Sequence, residues 1–574
     1  MKSESISSSE WRWVGGISSL LVTLTLLPYA WALIASANST VQFMGILSNP
    51  QDGATYLSKI QQGVDGHWLF ELRHTPQPHD PAGFHLFYLL LGHVASLLGV
   101  SPVLIFHVAR VAASFFMFFA LYHLAASIWQ RPRPRRLFFL LTAIGSGLGW
   151  LALILVSNEE FAPDLYVPEA FPLFAAYTNP HFPLAIGCIA LLAAQIMEAF
   201  RPGMDEAPNP ENGGLLVVVL SVILAIISPP AILVVGSVLA VYTLVQAIST
   251  RSLPIHQARW TAVIALPAFP FAVYYYAVFR FNDTFGQFNE QNVTDSPNVV
   301  LFLFGFGLLL LMALPGIWRA AKRFEPDGDQ LMLIWLGVNT LLVYLPFFAL
   351  QRRLFIGLII PVVYFAVRAL EDYWFTRIPE KWRAASLVAL VVFILPSHVL
   401  TFIAPLAFAV FDRQAGQDTS LLLSQDYIQA LEWADNDSQN NQVLLASPPI
   451  SLWIPARTHL RPFYGHPFET VPAELRRQAM RHFYQGEDCQ AVFDSALPFR
   501  VSYVLWGPQE DKIGIINPDD QDIDEVLSNV ELENIEALEG QRLPNADACK
   551  TAIAEAASQT QQFGSVTLYI LAEP

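Results

Sequence analysis

Apolar residues along this chain do not alternate with polar ones; they come in long unbroken runs. Val14–Ile34 is almost wholly apolar, and comparable runs recur as far as residue 409. A helix needs about 20 apolar residues to cross a bilayer. The pattern predicts eleven spans, at 14–36, 102–129, 137–157, 180–200, 214–228, 230–249, 260–279, 298–317, 331–350, 354–370 and 384–409. Segment 84–100 is apolar but only 17 residues long, and it reads either as a twelfth span or as a helix lying along the membrane surface. Beyond residue 410 the pattern changes. Asp426–Ala434 and Ala473–Tyr484 carry helical periodicity, whereas Val443–Ala446, Val501–Trp506 and Val566–Leu571 read as strands. The expected architecture is a mainly α polytopic membrane protein, residues 1–409, followed by a small soluble α/β domain, residues 410–574.

Composition agrees. The 574 residues are 54% hydrophobic and 14% charged, against about 25% charged in a soluble protein. The net charge of −16 is lopsided: residues 1–409 hold 22 basic and 23 acidic residues, and residues 410–574 hold 10 and 25. An acidic C-terminal part argues against nucleic acid as a partner, because such binding needs a basic surface.

Charge also orients the spans. If 84–100 does not cross, the loops with Arg131, Arg133, Arg135 and Arg136, with Arg201, with Arg251 and Arg259, with Arg319, Lys322 and Arg323, and with Arg377, Lys381 and Arg383 share one side. By the positive-inside rule that side is cytoplasmic. The N-terminus is then inside a plasma (bacterial cytoplasmic) membrane. Loops 37–101, 158–179 and 280–297 and the C-terminal part are outside. Ala35-Ser36-Ala37 resembles a signal-peptide cleavage site, but the 21-residue apolar stretch before it is long for one, which favours a retained anchor. Cys188 sits in an apolar run; Cys489 and Cys549, both in the C-terminal part, are either a disulfide or two free thiols.

Chemistry belongs to the polar residues that this topology gathers on the outer face. Just past the first span, SNPQDGATYLSKIQQGVDGHWLFELRH presents Asp52, Tyr56, Lys59, Arg73 and His74. Asp52, Tyr56 and Lys59 share one face of a predicted helix. Asp52 reads either as a general base at the membrane boundary or as the N-cap of that helix. Arg352 and Arg353 break the positive-inside pattern; they suit a phosphate, an ion pair, or simple snorkelling at the interface. Glu159, Glu160 and Asp164, followed by Asn179 and His181, could hold a divalent metal or sugar hydroxyls, or form a solvated loop. Four Asn-x-Ser/Thr triplets, at Asn38, Asn282, Asn292 and Asn436, fall outside. There is no Walker A, GxSxG or HExxH pattern to support cytosolic nucleotide chemistry or those hydrolases.

The order of these features resembles that of the GT-C superfamily of polytopic membrane glycosyltransferases, in particular the family 39-like and lipid-A-arabinose-transferase-like enzymes. One span leads into an outer loop with an early acid, Gln51-Asp52-Gly53-Ala54-Thr55-Tyr56. A surface helix follows His79-Asp80-Pro81, and then a span with His107, Arg110 and Tyr122 that ends in basic residues. The segments Tyr464–Thr470 and Tyr503–Pro508 look like those of related bacterial membrane proteins. The resemblance implies a polyprenyl-phosphate-linked sugar as donor, an extracytoplasmic lipid, glycan or protein as acceptor, and inversion at the anomeric carbon. It implies Asp52 as general base, Arg352 or Arg353 at the donor phosphate, and no certain cofactor, a divalent metal being compatible. The competing readings are a membrane transporter or lipid flippase, which needs ionisable groups at mid-bilayer, and a non-catalytic envelope assembly protein.

Overall fold

The computed structural model describes residues 6–571 except 38, 157–159, 205, 347–348, 415–419, 439–441, 494–499, 516–542 and 544. Among the described residues eight helices are long and apolar enough to span a bilayer, and three shorter apolar helices accompany them: Leu86–Leu98, Gly214–Ile227 and Asp329–Val343. The first six helices are α1 Ser8–Ser36, α2 Pro50–Val64, α3 Leu86–Leu98, α4 Pro102–Ile128, α5 Pro132–Ala143 and α6 Gly149–Leu155. Local signals set their starts. The side chain of Ser101 accepts from the Leu104 N–H and Pro102 opens α4, the expected cap-and-proline pair.

Two predicted spans change. The run 331–350 is helical only to Val343, and a 3₁₀ turn, Gln351–Phe355, then carries both arginines into the buried helix Ile359–Ala369. The run 137–157 is not one helix: α5 and α6 are separated at Ile144–Leu148. Glycine explains the break. A Cβ on Gly147 would lie 2.2 Å from the Phe304 and Gly305 carbonyl oxygens, so this turn exists only by close approach to helix Val299–Arg323, itself kinked at Gly307 (φ +36°). The Asp164 carboxylate satisfies the backbone freed there, accepting from the Gly147 N–H (3.1 Å), the Gly149 N–H (3.0 Å) and the Ser146 hydroxyl (3.2 Å).

Helix α3 packs on α2. The two cross at Gly63 and Gly92: a Cβ on Gly63 would sit 2.1 Å from the Leu89 carbonyl oxygen, and one on Gly92 2.1 Å from that of Ile60. Small residues let backbones touch, as at other close helix crossings. Gly63→Val is therefore expected to force the pair apart and destabilise the protein by about 1–3 kcal/mol or more, as overpacking does. An unchanged thermal unfolding midpoint of the purified variant would contradict that closeness.

Among the described residues there are seven short strands, the first of them before α2. Strands β1 (Val41–Phe43) and β2 (Leu422–Ser424) pair antiparallel, tying the chain just after α1 to the chain just after helix Glu380–Gln414. Strands β3 (Val443–Leu445), β4 (Arg461–Pro462), β5 (Val501–Trp506), β6 (Ala557–Phe563) and β7 (Val566–Leu571) form one sheet in the order β4-β3-β5-β7-β6. β3 runs parallel to β4 and β5; β7 is antiparallel to β5 and β6. Helices Gln425–Asp437 and Ala473–Gln485 bear on this sheet region. Cys489 and Cys549 are bonded, and Cys188 is free and buried.

Candidate active site

Helix α2 builds the first wall. Its N-cap is Asn49, held at φ 49°, whose side chain accepts from the Asp52 N–H. Asp52 therefore stands at the third helical position and is not the cap. Its Oδ2 accepts from the Asn49 amide (2.9 Å) and from the Arg353 guanidinium (3.3 Å), and among the described residues Oδ1 has no hydrogen-bond partner. The other arm of Arg353 donates to Glu169 Oε1 at 3.2 Å. Arg353 thus sits between two carboxylates contributed from 301 and 184 residues away.

The adjacent Arg352 points elsewhere. It stacks over the Tyr166 ring at 5.3 Å. Among the described residues no carboxylate pairs with it. It opens onto a cavity of about 310 Å³ lined by Glu160, Tyr166, Thr294, Asp295 and Phe468, among others. That volume falls at the small end of ligand sites, roughly 300–1,000 Å³.

One and two turns further along α2, Tyr56 stacks on Tyr88 (4.4 Å between ring centres), and the Tyr88 hydroxyl meets His181 Nδ1 at 2.6 Å. Burial, and then the charge of Asp52, pushes the Tyr56 phenol well up, so it stays neutral. Lys59 is buried and donates to the Thr55 hydroxyl (2.9 Å) and to Glu469 Oε1 (2.6 Å). His74 Nδ1 lies 3.3 Å from Glu469 Oε2, and its Nε2 faces the Leu452 carbonyl at 3.0 Å. Burial would raise the Glu469 pKa, but the Lys59 ammonium and then His74 hold its carboxyl well below the usual range. Burial keeps two neighbouring imidazoles neutral: His466 is pushed down to about 4, and His85, with help from Lys59, to about 3.

The residues expected from sequence are thus only partly together. Asp52, Tyr56, Arg353 and His181 share one cluster, and Arg352 and Glu160 share the cavity beside it. Lys59 and His74 form a clasp to the C-terminal part. Arg73 is drawn off to Asp65 at 3.0 Å, and Asp164 is engaged at the α5–α6 break. Asn179 is buried two residues before His181, and Glu159 lies outside the described residues. Glu169, Glu469, Thr294 and Phe468 had no role in the sequence reading. The segment Tyr464–Thr470 was the available signal for two of them.

A divalent cation does not fit the cluster as built. The Arg353 guanidinium occupies the space between Asp52 and Glu169 where a cation would need both oxygens, and among the described residues no three His, Cys, Asp or Glu side chains are grouped to hold a metal.

No protein-family model matches the sequence, and no curated protein matches it. Solved structures match in fold. The Archaeoglobus fulgidus oligosaccharyltransferase, tethered with an acceptor peptide, aligns with a TM-score of 0.53 at 12% identity, over 86% of this chain and 69% of its own. Its complex with Zn and sulfate aligns at 0.51 and 12%, over 92% and 70%. ArnT from Cupriavidus metallidurans bound to undecaprenyl phosphate aligns at 0.48 and 13%, over 91% and 95%. At such identities the likeness is one of fold, and the oligosaccharyltransferase carries it. The architecture of this chain is thus similar to that of the Archaeoglobus fulgidus oligosaccharyltransferase.

Proposed function

We propose that this chain is a membrane glycosyltransferase that moves a sugar from a polyprenyl-phosphate donor to an acceptor on the outer face, with its N-terminus in the cytoplasm and residues 410–574 as an outer domain. One observation carries the reading: Asp52 and Arg353, 301 residues apart, meet at 3.3 Å, and the neighbouring Arg352 faces an adjoining cavity. The acceptor's hydroxyl or amine gives its proton to the Asp52 carboxylate. The acceptor atom bonds to the anomeric carbon from the side opposite the phosphate, and the carbon–oxygen bond to phosphate breaks. The electron pair leaves on the polyprenyl phosphate, whose growing charge Arg352 stabilises.

The two arginines divide the work in this proposal. Arg353 has both arms on carboxylates and orients Asp52. Arg352, stacked on Tyr166 with no carboxylate partner among the described residues, is the one available to phosphate.

Release of free polyprenyl phosphate on adding acceptor to the purified protein is the direct test. Arg352→Ala is expected to slow that release by about 10²–10³-fold, the scale of one lost oxyanion donor, with weaker donor binding. Unchanged turnover and donor affinity would place the phosphate elsewhere. Uptake of a labelled solute by liposomes containing the protein, without such release, would point to a transporter.

A further inference from the structure

The loop His466–Thr470 of the C-terminal part is held as if its conformation mattered. The backbone N–H groups of Phe468 (3.0 Å) and Glu469 (3.1 Å) both donate to His466 Nδ1. The Gln291 amide donates to the carbonyls of Phe468 and Thr470. The Thr470 hydroxyl donates to the His74 carbonyl at 2.8 Å, and Glu469 is locked on Lys59. Within this rigid frame the Phe468 ring is only half-buried, its one ring neighbour among the described residues being His466 at 5.7 Å, and it forms a wall of the cavity that Arg352 enters. A large apolar side chain held firmly at the edge of a polar cavity is a stacking surface. A second observation points the same way. Thr294, also in the cavity wall, is 5% exposed, and its hydroxyl has no hydrogen-bond partner among the described residues, although a buried hydroxyl normally finds one.

Resting on the function proposed above, we infer that Phe468 and Thr294 are the sugar-recognising wall of this cavity: the apolar face of the donor's sugar ring packs on Phe468, and a ring hydroxyl pairs with the Thr294 hydroxyl. Glu160 and Asp295, on the same cavity, supply acceptors for the remaining hydroxyls. The C-terminal part is then a component of the donor site and not only a cover over it. Glu469 is a positioning residue, acting through the loop that presents Phe468.

Binding to the full-length protein in nanodiscs separates this from the reading beneath it. The probes are undecaprenyl phosphate, and undecaprenyl phosphate bearing glucose, mannose or a pentose. The expected result is that one sugar-bearing probe binds the wild type about tenfold tighter than the bare lipid, the upper scale of an aromatic packing contact. That ratio falls to about one in Phe468→Ala and survives in Phe468→Trp. Thr294→Val, which keeps the shape and removes the hydroxyl, lowers it in part. A ratio that persists in Phe468→Ala, or no sugar-dependent gain in the wild type with any probe, overturns the inference while leaving the phosphate site intact. Failure of the wild type to bind even bare undecaprenyl phosphate overturns the proposed function instead. Thermal midpoints of the three variants identify any that lose binding by unfolding, and Phe468→Trp and Thr294→Val then carry the test.

Discussion

Asp52→Asn is expected to reduce sugar transfer by about 10²–10⁴-fold, the usual contribution of a positioned general base, while the protein remains folded and inserted. The substitution is close to isosteric. Asn49 caps α2 through the residue-52 N–H, which the variant retains, and Arg353 keeps Glu169. What disappears is the carboxylate that can take the acceptor's proton. The check is turnover at saturating donor, with a thermal melt alongside. A variant that melts like the wild type and still turns over at full rate would remove Asp52 from the chemistry. The companion variant Arg353→Ala sharpens the comparison. It should lower turnover, because Asp52 loses its orienting partner, yet leave affinity for bare polyprenyl phosphate close to wild type.

Glu469→Gln is expected to cost stability on the order of 3–5 kcal/mol, because it leaves the buried Lys59 ammonium without its counter-charge. Replacing both partners with apolar residues, Lys59→Met with Glu469→Leu, should recover much of that loss, since an uncompensated buried charge is the expensive state. Equal melting of the wild type and the single variant would show that the pair contributes nothing.

The same clasp sets an acid limit. Glu469 titrates well below its ordinary 4.5 in the folded chain, so its stabilisation is complete above that value and is lost as pH falls below it. His466 titrates at about 4 against 6.5, so the folded state binds fewer protons there than the unfolded one; that contribution is complete above pH 6.5 and is lost between 6.5 and about 4. Thermal midpoints should therefore decline from pH 6.5 downward and more steeply below 4.5. His466→Gln should lessen the decline between pH 6.5 and about 4, to which the buried His85 also contributes, and leave the steeper part below 4.5 in place. A midpoint constant from pH 7 to 4 would contradict both assignments.

How much of this was readable in the chain differs from one residue to the next. Strands Val501–Trp506 and Val566–Leu571 appear with the predicted bounds, and α2 with Asp52, Tyr56 and Lys59 on one face is where the polar spacing put it. These depend on periodicity, which is local. The 137–157 run misled because hydrophobicity alone cannot register that Gly147 must touch the Phe304 and Gly305 carbonyls, an approach possible only once helix Val299–Arg323 is in place. Asn49 took the capping role offered to Asp52 because Pro50 shifts the helix start by three residues. Arg352 and Arg353 are neighbours in sequence, and the 3₁₀ turn sends one to a cavity and the other between two acids.

By itself the sequence determined that this is a membrane protein, where many of its helices and strands fall, and which polar residues are candidates for chemistry. Those properties follow from the transfer of apolar surface out of water and from repeats of 3.6 and 2 residues, and each acts over a few turns of chain. Only the tertiary structure decided which candidates meet. Asp52 finds Arg353, Lys59 finds Glu469, and Phe468 reaches the wall beside Arg352 because packed helices and one buried ion pair bring together segments hundreds of residues apart. No local pattern encodes a partner at that distance, since the energy that selects it exists only after both segments are folded against each other.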